Sequence, residues 1–172
     1  MTEQEPRPGE SWSDEESERA FDVLGDRVID ATRRFLRSGT RLRIQADIYS
    51  VDGRELTLGQ IDALEAVAGA GEVRMNELAA KLGVDPSTAT RATAPLVDLG
   101  LLDRTTDPLN RRYVVLRCTD AGTRFADDVT AERRRLMRET LAPMAPDRRV
   151  LFAGLLEEYI ELTERYRPST DS

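Results

Sequence analysis

The stretch that most constrains the fold is residues 74–119, because it carries the start and stop signals of two short helices in close succession. The first helix is predicted to begin at Asn76, whose side chain can accept a hydrogen bond from a free backbone N–H of the first turn. It is predicted to end at Gly83, because glycine adopts the left-handed conformation of a helix end without strain. Asp85 and the proline after it start a second helix, which Gly100 ends. Two helices joined by so short a turn are typical of a helix-turn-helix.

The outward face of the second helix carries short hydroxyl side chains and one arginine. Such side chains suit base edges and phosphates in the DNA major groove, which the second helix of a helix-turn-helix enters. The alternative is an ordinary solvated helix face. Pro95 removes one backbone hydrogen bond and should bend this helix. The residues of the helix that are predicted to contact DNA are Ser87, Thr88, Thr90, Arg91 and Thr93.

A polar loop between two short apolar segments follows the second helix. Residues 101–104 and 113–116 are predicted to form the strands of a hairpin, and residues 105–112 its tip. The tip holds an Asp-Pro pair, which is typical of turns, and the basic pair Arg111-Arg112. A hairpin appended to a helix-turn-helix is a winged helix, and a basic tip suits the narrow, negative minor groove.

Residues 56–122 resemble the winged-helix core of the MarR family of bacterial transcription regulators. The likeness is carried by the segments LAAKLGVDPSTATRATAPLVDLGLLDR and TDPLNRRYVVLRCTDAG. In the wing the family usually shows an acidic residue, one arbitrary residue and then an arginine, whereas this chain has Asn110-Arg111-Arg112. The arginine is kept and an amide replaces its acidic partner. We assign these three wing residues to the DNA contact, and the resemblance further implies a dimer formed by the terminal helices.

The acidic balance of the chain is confined to its N-terminus. The 32 acidic and 25 basic residues give a net charge of −7, and residues 1–26, with nine carboxylates and two arginines, account for all of it. Residues 74–117 instead hold seven basic and five acidic side chains. Because a DNA groove senses the local surface, the overall acidity is compatible with a nucleic-acid partner.

The region before the winged core, residues 13–50, is predicted to hold a long helix that ends near Arg37. It carries an apolar side chain at every third or fourth position. Residues 1–12 are an acidic arm that we expect to be disordered. Residues 40–49 fit a strand or a helix, and we favour a helix that ends at the Asp-Gly pair 52–53.

The winged core, residues 55–119, is predicted to begin with a helix that Thr57 and Gln60 cap reciprocally and that Gly69 and Gly71 end. Its apolar side chains recur at helical spacing and should face the interior. The predicted buried side of this helix comprises Leu58, Ile61, Leu64 and Val67.

The region after the core, residues 120–167, is predicted to form two helices, residues 120–142 and 147–165. Three consecutive arginines, residues 133–135, lie in the first of them. They form an ordinary solvated face, a phosphate contact or an ion pair with the acidic first helix. The last helix is predicted to bury Leu151, Phe152, Leu155, Leu156, Tyr159, Ile160 and Leu162.

The apolar stripes of the terminal helices exceed what a small winged core can cover, so a second subunit is expected to cover them. A dimer also suits DNA recognition, because one helix reads only a few base pairs and specificity normally comes from two half-sites. The residues assigned to this dimer contact are Phe21, Leu24, Val28, Ala31, Phe35, Phe152, Leu155, Leu156 and Tyr159.

The side chains that carry most enzyme chemistry are missing or badly placed. Histidine is absent, which removes the commonest metal ligand and general base. The single cysteine, Cys118, ends an apolar strand, which favours a buried structural thiol over a redox sensor. Adjacent carboxylates such as Glu157-Glu158 do not share one helix face. We therefore predict no catalytic residues, no metal and no cofactor.

We expect a mainly α-helical protein with a small β-hairpin wing, that is, an α+β winged helix-turn-helix core flanked by N- and C-terminal dimerisation helices. Its predicted function is that of a homodimeric transcriptional regulator bound to a pseudo-palindromic operator in double-stranded DNA. We expect a repressor that a small aromatic or anionic ligand relieves, although the sequence does not identify the ligand-binding residues. The acidic N-terminus and the lack of a run of about 18 apolar residues predict a cytoplasmic protein without a membrane partner. The alternative is a winged-helix module that binds another protein without sequence-specific DNA binding.

Overall fold

The fold is mainly helical with two small antiparallel sheets, which confirms the expected class. The chain divides into two compact units, Met1–Glu55 and Leu56–Ser172. The acidic arm of residues 1–12 lies outside the described part of the chain, so its predicted disorder stays a prediction. The computed structural model describes residues 14–39, 46–106 and 113–166.

The first unit contains the long helix α1, Asp14–Arg37, with Arg34 and Arg37 in its last turn. Its end agrees with the predicted one. Cationic side chains stabilise this end because the carbonyl groups of the last turn give it a partial negative charge. Residues 46–48 are helical, whereas residues 40–45, part of the ambiguous segment, lie outside the described residues.

A small hairpin follows, in which β1 (Ser50–Val51) pairs antiparallel with β2 (Arg54–Glu55). The prediction that a helix runs on to this point was wrong. Asp52 and Gly53 have φ angles of 50° and 75°. A two-residue hairpin turn needs positive φ at both central residues, and an Asp-Gly pair is a strong signal for it.

The second unit begins with helix α2, Leu58–Ala70, whose start confirms the predicted reciprocal cap. The backbone N–H of Gln60 donates to Thr57 Oγ1 at 3.3 Å, and that of Thr57 donates to Gln60 Oε1 at 2.8 Å. The helix ends at Gly71, where φ is 74°. Gly69 lies inside the helix, which corrects its predicted role as a stop.

The buried side of α2 is nearly as predicted. Ile61, Leu64 and Val67 are fully buried. Leu58 is 42% exposed. It is the first residue of the helix, and the residues that enter the core begin only at Ile61. Its assignment to the buried side was wrong.

The winged core has a three-stranded antiparallel sheet in the order β3-β5-β4. The predicted hairpin is confirmed as β4 (Leu102–Thr106) and β5 (Val114–Cys118). The third strand, β3 (Glu72–Arg74), was not predicted. Its middle residue Val73 is buried and lies opposite Leu116 in β5.

Helix α3, Met75–Leu82, starts earlier than predicted. Asn76 lies inside the first turn and is not the cap. The helix start is held instead by Glu77, whose Oε2 accepts from the backbone N–H of Arg74 at 3.1 Å. Gly83 ends the helix in the left-handed region at φ 66°, as predicted.

Helix α4, Pro86–Asp98, matches the predicted second helix of the helix-turn-helix. It continues through Pro95, and whether it bends there stays a prediction. Gly100 follows at φ 67°. Its N–H donates to the carbonyl of Val97 at 2.9 Å, and that of Leu101 donates to the carbonyl of Leu96 at 2.8 Å. These paired bonds are the usual hydrogen bonds of a glycine-ended helix.

Two long helices complete the chain, α5 (Asp120–Leu141) and α6 (Pro146–Arg165). Thr119 caps α5 by accepting from the backbone N–H of Gly122 at 3.0 Å. Ala126 and Val129 are buried on one side of α5, whereas every residue of α6 except the half-buried Arg149 is exposed within this chain. The prediction that seven apolar residues of α6 are buried is therefore wrong for the single chain.

One continuous core holds the second unit together. It lies where α2, α3 and α4 pack on one another and on the sheet, and where α5 packs on α2 and β5. Burial of such side chains is the main favourable contribution to folding. The largest fully buried side chains are Ile61, Leu64, Val67, Leu78, Leu96, Leu102, Leu116 and Val129.

Candidate nucleic-acid interface

The exposed face of α4 carries four of the five helix residues that were predicted to contact DNA. Ser87 and Arg91 are exposed, and Thr88 and Thr90 are half-buried. Ala89 on the opposite side is fully buried. The helix therefore anchors one side in the core and presents a polar side to solvent.

Thr93 does not belong to this face. Its side chain is buried, and its Oγ1 donates to the carbonyl of Ala89 at 3.0 Å and lies 3.2 Å from that of Thr90. It follows Ala89 by four residues and precedes Leu96 by three, so it shares their inward side. Its assignment to the DNA contact was wrong.

Asp85 organises the start of α4 and engages two of the predicted contact residues. Its carboxylate accepts from the backbone N–H groups of Ser87 at 2.9 Å and Thr88 at 3.0 Å. It also accepts from the hydroxyl groups of Ser87 and Thr88. These hydrogen bonds, led by that from the Ser87 hydroxyl, hold the pKa of Asp85 well below its usual range.

The hydroxyl protons on this face are already engaged within the protein. Ser87 and Thr88 donate to Asp85, and Thr90 Oγ1 donates to the carbonyl of Pro86 at 2.8 Å. Each oxygen can still accept from a base amino group, but donation to a phosphate oxygen first requires the internal bond to break. These hydroxyls are therefore better acceptors than donors toward DNA.

Arg91 supplies the donors that the hydroxyls lack. Its Nε points to the carbonyl of Ser87 at 3.4 Å, and its Nη2 lies 3.5 Å from Ser87 Oγ and 3.4 Å from Thr88 Oγ1. These long contacts hold the guanidinium beside the start of α4 without using all five of its N–H donors. Arg91 is accordingly the strongest candidate on α4 for a bond to a guanine or a phosphate.

The strands of the wing are held by contacts that were not predicted. The guanidinium carbon of Arg74 lies 5.1 Å from the ring centroid of Tyr113, a cation–π arrangement. Beside it, Arg117 on β5 forms an ion pair with Glu72 on β3. These contacts were not predicted because residues 72–74 were not predicted to form a strand.

The wing tip, residues 107–112, lies outside the described residues. The predicted roles of Asn110, Arg111 and Arg112 therefore stay predictions. β4 and β5 nevertheless run to the edges of that segment and bring its two ends together as a pair, since Thr106 lies opposite Val114.

Cys118 is half-buried at the end of β5, and its Sγ lies 3.8 Å from the carbonyl oxygen of Leu64. Burial raises the pKa of its thiol. Because the thiolate is the reactive form, a raised pKa lowers reactivity. Arg117, its neighbour in sequence, is engaged with Glu72. This environment agrees with the structural role that was predicted for the thiol.

The three consecutive arginines of α5 have different surroundings. Arg133 Nη1 lies 2.6 Å from Glu65 Oε1 on α2. Arg135 pairs with Glu132 at 2.7 Å and Glu139 at 3.1 Å on its own helix. Arg134 is exposed. Arg133 thus pairs with a carboxylate on α2, and Arg135 with carboxylates on its own helix.

The residues assigned to the dimer contact are all exposed within the single chain. On α1 the exposed fraction reaches 76% at Phe21, and on α6 it is 54% at Leu155. Exposed apolar rows of this length suit a contact with another surface. The full set is Phe21, Leu24, Val28, Ala31, Phe35, Phe152, Leu155, Leu156 and Tyr159. The partner stays a prediction.

The described part of the chain, residues 14–39, 46–106 and 113–166, lacks two features. None of the helices in that part of the chain is long and apolar enough to cross a membrane. The same residues contain no group of three or more acidic, cysteine or histidine side chains arranged to hold a metal ion.

Comparison with known proteins gives one consistent family. Residues 55–112 match the MarR family model. The HTH-type transcriptional regulator ML2140 of Mycobacterium leprae is 27% identical over 63% of this chain and 76% of its own. The HTH-type transcriptional repressor MdtR of Bacillus subtilis is 24% identical over 71% of this chain and 79% of its own.

A solved structure agrees with this match beyond the core. The transcriptional regulator PcaV from Streptomyces coelicolor, crystallised in complex with its natural ligand, aligns at a TM-score of 0.59 and 26% identity. The alignment covers 76% of this chain and 89% of that protein. With its helix-turn-helix, its wing and this match over residues 55–112, the chain contains a winged helix-turn-helix similar to that of DNA-binding transcriptional regulators of the MarR family.

Proposed function

We propose that the protein is a homodimer that binds a pseudo-palindromic operator through α4 and the wing of each subunit and represses transcription until a small molecule binds. The observation that carries the proposal is the polar face of α4. Arg91 with its unused donors stands there beside the hydroxyl oxygens of Ser87, Thr88 and Thr90.

The anchoring of α4 supports a role as the recognition helix. A helix that reads bases must keep its position while its side chains exchange water for DNA. Ala89, Thr93 and Leu96 fix the inner side of α4 in the core, and Asp85 fixes its start. The outer side is then presented on a rigid support.

The wing provides the second proposed contact. Arg112, with Arg111 and Asn110 beside it, would enter the minor groove next to the major-groove site of α4. The paired strands β4 and β5 deliver the tip. Arg74 contacts Tyr113, the residue just before β5 at the tip end of the hairpin.

Dimerisation is supported by the exposed apolar rows of the terminal helices. On α6, Phe152, Leu155, Leu156 and Tyr159 are each about half exposed, from 46% to 54%. Rows of large apolar side chains are unfavourable in water and are normally covered by a partner. A second copy would cover them and place two α4 helices about 34–36 Å apart, one turn of DNA.

Repression and its relief are proposed from the relatives. MdtR is a repressor, and PcaV was crystallised with its natural ligand. A ligand relieves repression only if it binds better to a dimer whose α4 helices are wrongly spaced for the operator. We propose a small aromatic or anionic ligand, to be sought by thermal shift with a panel of phenolic acids.

The alternative, a winged-helix module for another protein, would be favoured by large apolar side chains on the outer face of α4. On that helix the exposed residues are instead Pro86, Ser87, Arg91, Ala94 and Asp98. Their small or polar side chains give a partner protein little apolar area to bury. The polar face therefore supports DNA.

The experiment that tests the proposal is selection of operators from random double-stranded DNA by the full-length protein. We expect an inverted repeat with half-sites one helical turn apart, and two chains on each duplex by sedimentation. Enrichment of no sequence, despite a folded protein, would contradict the proposed function and favour the protein-binding alternative.

A further inference from the structure

The junction between the end of α4 and the start of α5 is built around the side chain of Thr119. Its Oγ1 donates to the carbonyl of Gly100 at 2.7 Å and lies 3.2 Å from that of Leu101. The same oxygen accepts from the backbone N–H of Gly122 at 3.0 Å. One hydroxyl therefore joins the last turn of the recognition helix to the first turn of α5.

The backbone groups beside this hydroxyl tighten the junction. The N–H of Thr119 donates to the carbonyl of Leu101 at 3.1 Å. A Cβ added at Gly122 would lie 1.9 Å from that carbonyl oxygen, so α5 starts directly against it. The first turn of α5 therefore packs directly against the backbone that follows α4.

The rest of α5 is attached to the same core. Arg133 pairs with Glu65 on α2 at 2.6 Å, and Ala126 and Val129 are buried. α5 is thus held between Ala126 and Arg133, and its N-terminus meets Gly100 and Leu101, which directly follow the C-cap of α4.

We propose that Thr119 is a positioning residue for DNA recognition, which locks the end of α4 to α5 so that the direction of α5 sets the direction of the recognition helix. In the dimer, the lock makes the distance between the two α4 helices a fixed property of the assembly. The inference rests on the proposed function, since it presupposes a dimer that reads two half-sites.

The role of Thr119 as the cap of α5 can be separated from its role as the lock. Aspartate is a good N-cap and can still accept from the N–H of Gly122, but it has no proton to donate to the carbonyl of Gly100. Thr119→Asp therefore keeps α5 capped and removes the hydroxyl's bond to Gly100, while the backbone bond from Thr119 to Leu101 remains. Thr119→Ser keeps the cap and the donor, and Thr123→Val is a matched control on the next turn of α5, where Thr123 is exposed.

The first measurement is hydrogen exchange in the full-length protein without DNA. In Thr119→Asp we expect the amides of Gly100 and Leu101 to exchange about three- to tenfold faster, the effect of losing one hydrogen bond. The amide of Ala89, which bonds to the carbonyl of Asp85 at the other end of α4, should exchange as in the wild type. Unchanged exchange at Gly100 and Leu101 would overturn the lock.

The second measurement is the preference for half-site spacing. An operator selected by the wild-type protein is lengthened by one base pair between its half-sites. For the wild type and each variant, the affinity for the original operator is divided by the affinity for the lengthened one. We expect this ratio to fall by about three- to tenfold in Thr119→Asp and to stay at the wild-type value in Thr119→Ser and Thr123→Val.

If Thr119 only stabilises the fold, Thr119→Asp lowers the melting temperature and leaves the spacing ratio unchanged. That result would overturn the proposal. Should Thr119→Asp fail to fold, Thr119→Ala, which removes both the cap and the donated bond, takes its place, and its spacing ratio must then fall by about three- to tenfold. A wild-type protein that selects no operator contradicts the proposed function instead, while the exchange measurement still decides whether Thr119 holds the end of α4.

Discussion

Arg133 Nη1 on α5 lies 2.6 Å from Glu65 Oε1 on α2, and this ion pair links a helix assigned to the dimer with the first helix of the winged core. The side chains are about one-third exposed, 34% for Arg133 and 29% for Glu65. Their attraction is therefore less weakened by water than that of a fully exposed pair. The pair ties the two parts of the second unit together at mid-helix.

We predict a coupling of about 1 kcal/mol between Glu65 and Arg133 in the free energy of unfolding. It is measured by a double-mutant cycle with Glu65→Gln and Arg133→Gln in urea at one protein concentration, because a cycle cancels other contacts of either side chain. Arg134→Gln, the exposed neighbour, should change stability by no more than about 0.5 kcal/mol. Additive single variants would show that the pair does not stabilise the fold.

The sequence was compatible with three roles for the arginine run 133–135. The structure shows why the sequence alone does not distinguish them. Whether an arginine on α5 meets a carboxylate depends on which face of α5 packs on α2. That packing is set by Ala126 and Val129, more than fifty residues after Leu64 and Val67 on the other side of the contact. Such long-range pairing leaves no local pattern in a single sequence.

The second prediction concerns acid stability and Asp85. Hydrogen bonds from Ser87 and Thr88 hold the pKa of this carboxyl below its usual range in the folded chain. The stabilising contribution is therefore fully present above the unfolded pKa, about 3.9, and is lost as the pH falls through the folded pKa. Asp85→Asn keeps a capping oxygen but does not titrate.

We expect wild-type stability to fall more steeply than that of Asp85→Asn as the pH drops from about 6 to about 3. The measurement is the urea midpoint of each protein across this pH range. The contributions of the other carboxyl groups are the same in both proteins and cancel when the two midpoints are subtracted. Parallel profiles would mean that the Asp85 cap does not favour the charged carboxylate in the native state.

Local signals explain what the sequence could predict of the recognition unit. Thr57 with Gln60, Asp85 before Pro86, and Gly83 are each short-range signals, and the structure contains the predicted cap or stop at each of them. Such signals act within one helical turn, so no tertiary information is needed to interpret them.

The errors lie where a residue's environment comes from elsewhere in the fold. β3 has three residues and is a strand only because it pairs with β5, more than forty positions later. Thr93 has the same side chain as Thr90, and only the packing of α4 separates buried from half-buried. The error at the β1–β2 turn was of a different kind. The Asp52-Gly53 pair is a local turn signal, but it was interpreted as the end of a helix.

The third prediction concerns the wing. We predict that Arg112→Ala loses about 1–3 kcal/mol of operator binding and lowers the salt dependence by about one ion. Asn110→Asp should change affinity by no more than about 1 kcal/mol. A carboxylate would hold Arg112 in place, as in the usual family pattern, but would also repel phosphate.

Arg117→Ala is the control for the wing, because Arg117 lies on the same hairpin but is engaged with Glu72. It should bind the operator nearly as the wild type does. Titrations of the selected operator across a series of salt concentrations measure all three variants. Wild-type binding by Arg112→Ala, with an unchanged salt slope, would remove the wing from the DNA contact.

The fourth prediction concerns the dimer. We expect light scattering at low micromolar concentration to give roughly twice the chain mass. Leu155→Lys, on the apolar row of α6, should yield monomers and weaken operator binding. Leu58→Lys is the matched control, since Leu58 is similarly exposed, 42% against 54%, but lies at the start of α2. A folded wild-type monomer, or a dimer in Leu155→Lys, would contradict the assignment.

The claim that α4 reads DNA is tested most directly by the affinity of Arg91→Ala for the selected operator, beside Arg138→Ala as a control. Arg138 is an exposed arginine on α5, outside the helix-turn-helix. We predict that Arg91→Ala loses about 1–3 kcal/mol, roughly five- to 150-fold in affinity, while Arg138→Ala binds like the wild type. Equal binding by Arg91→Ala and the wild type, with both proteins folded and dimeric, would contradict the assignment of α4 as the recognition helix.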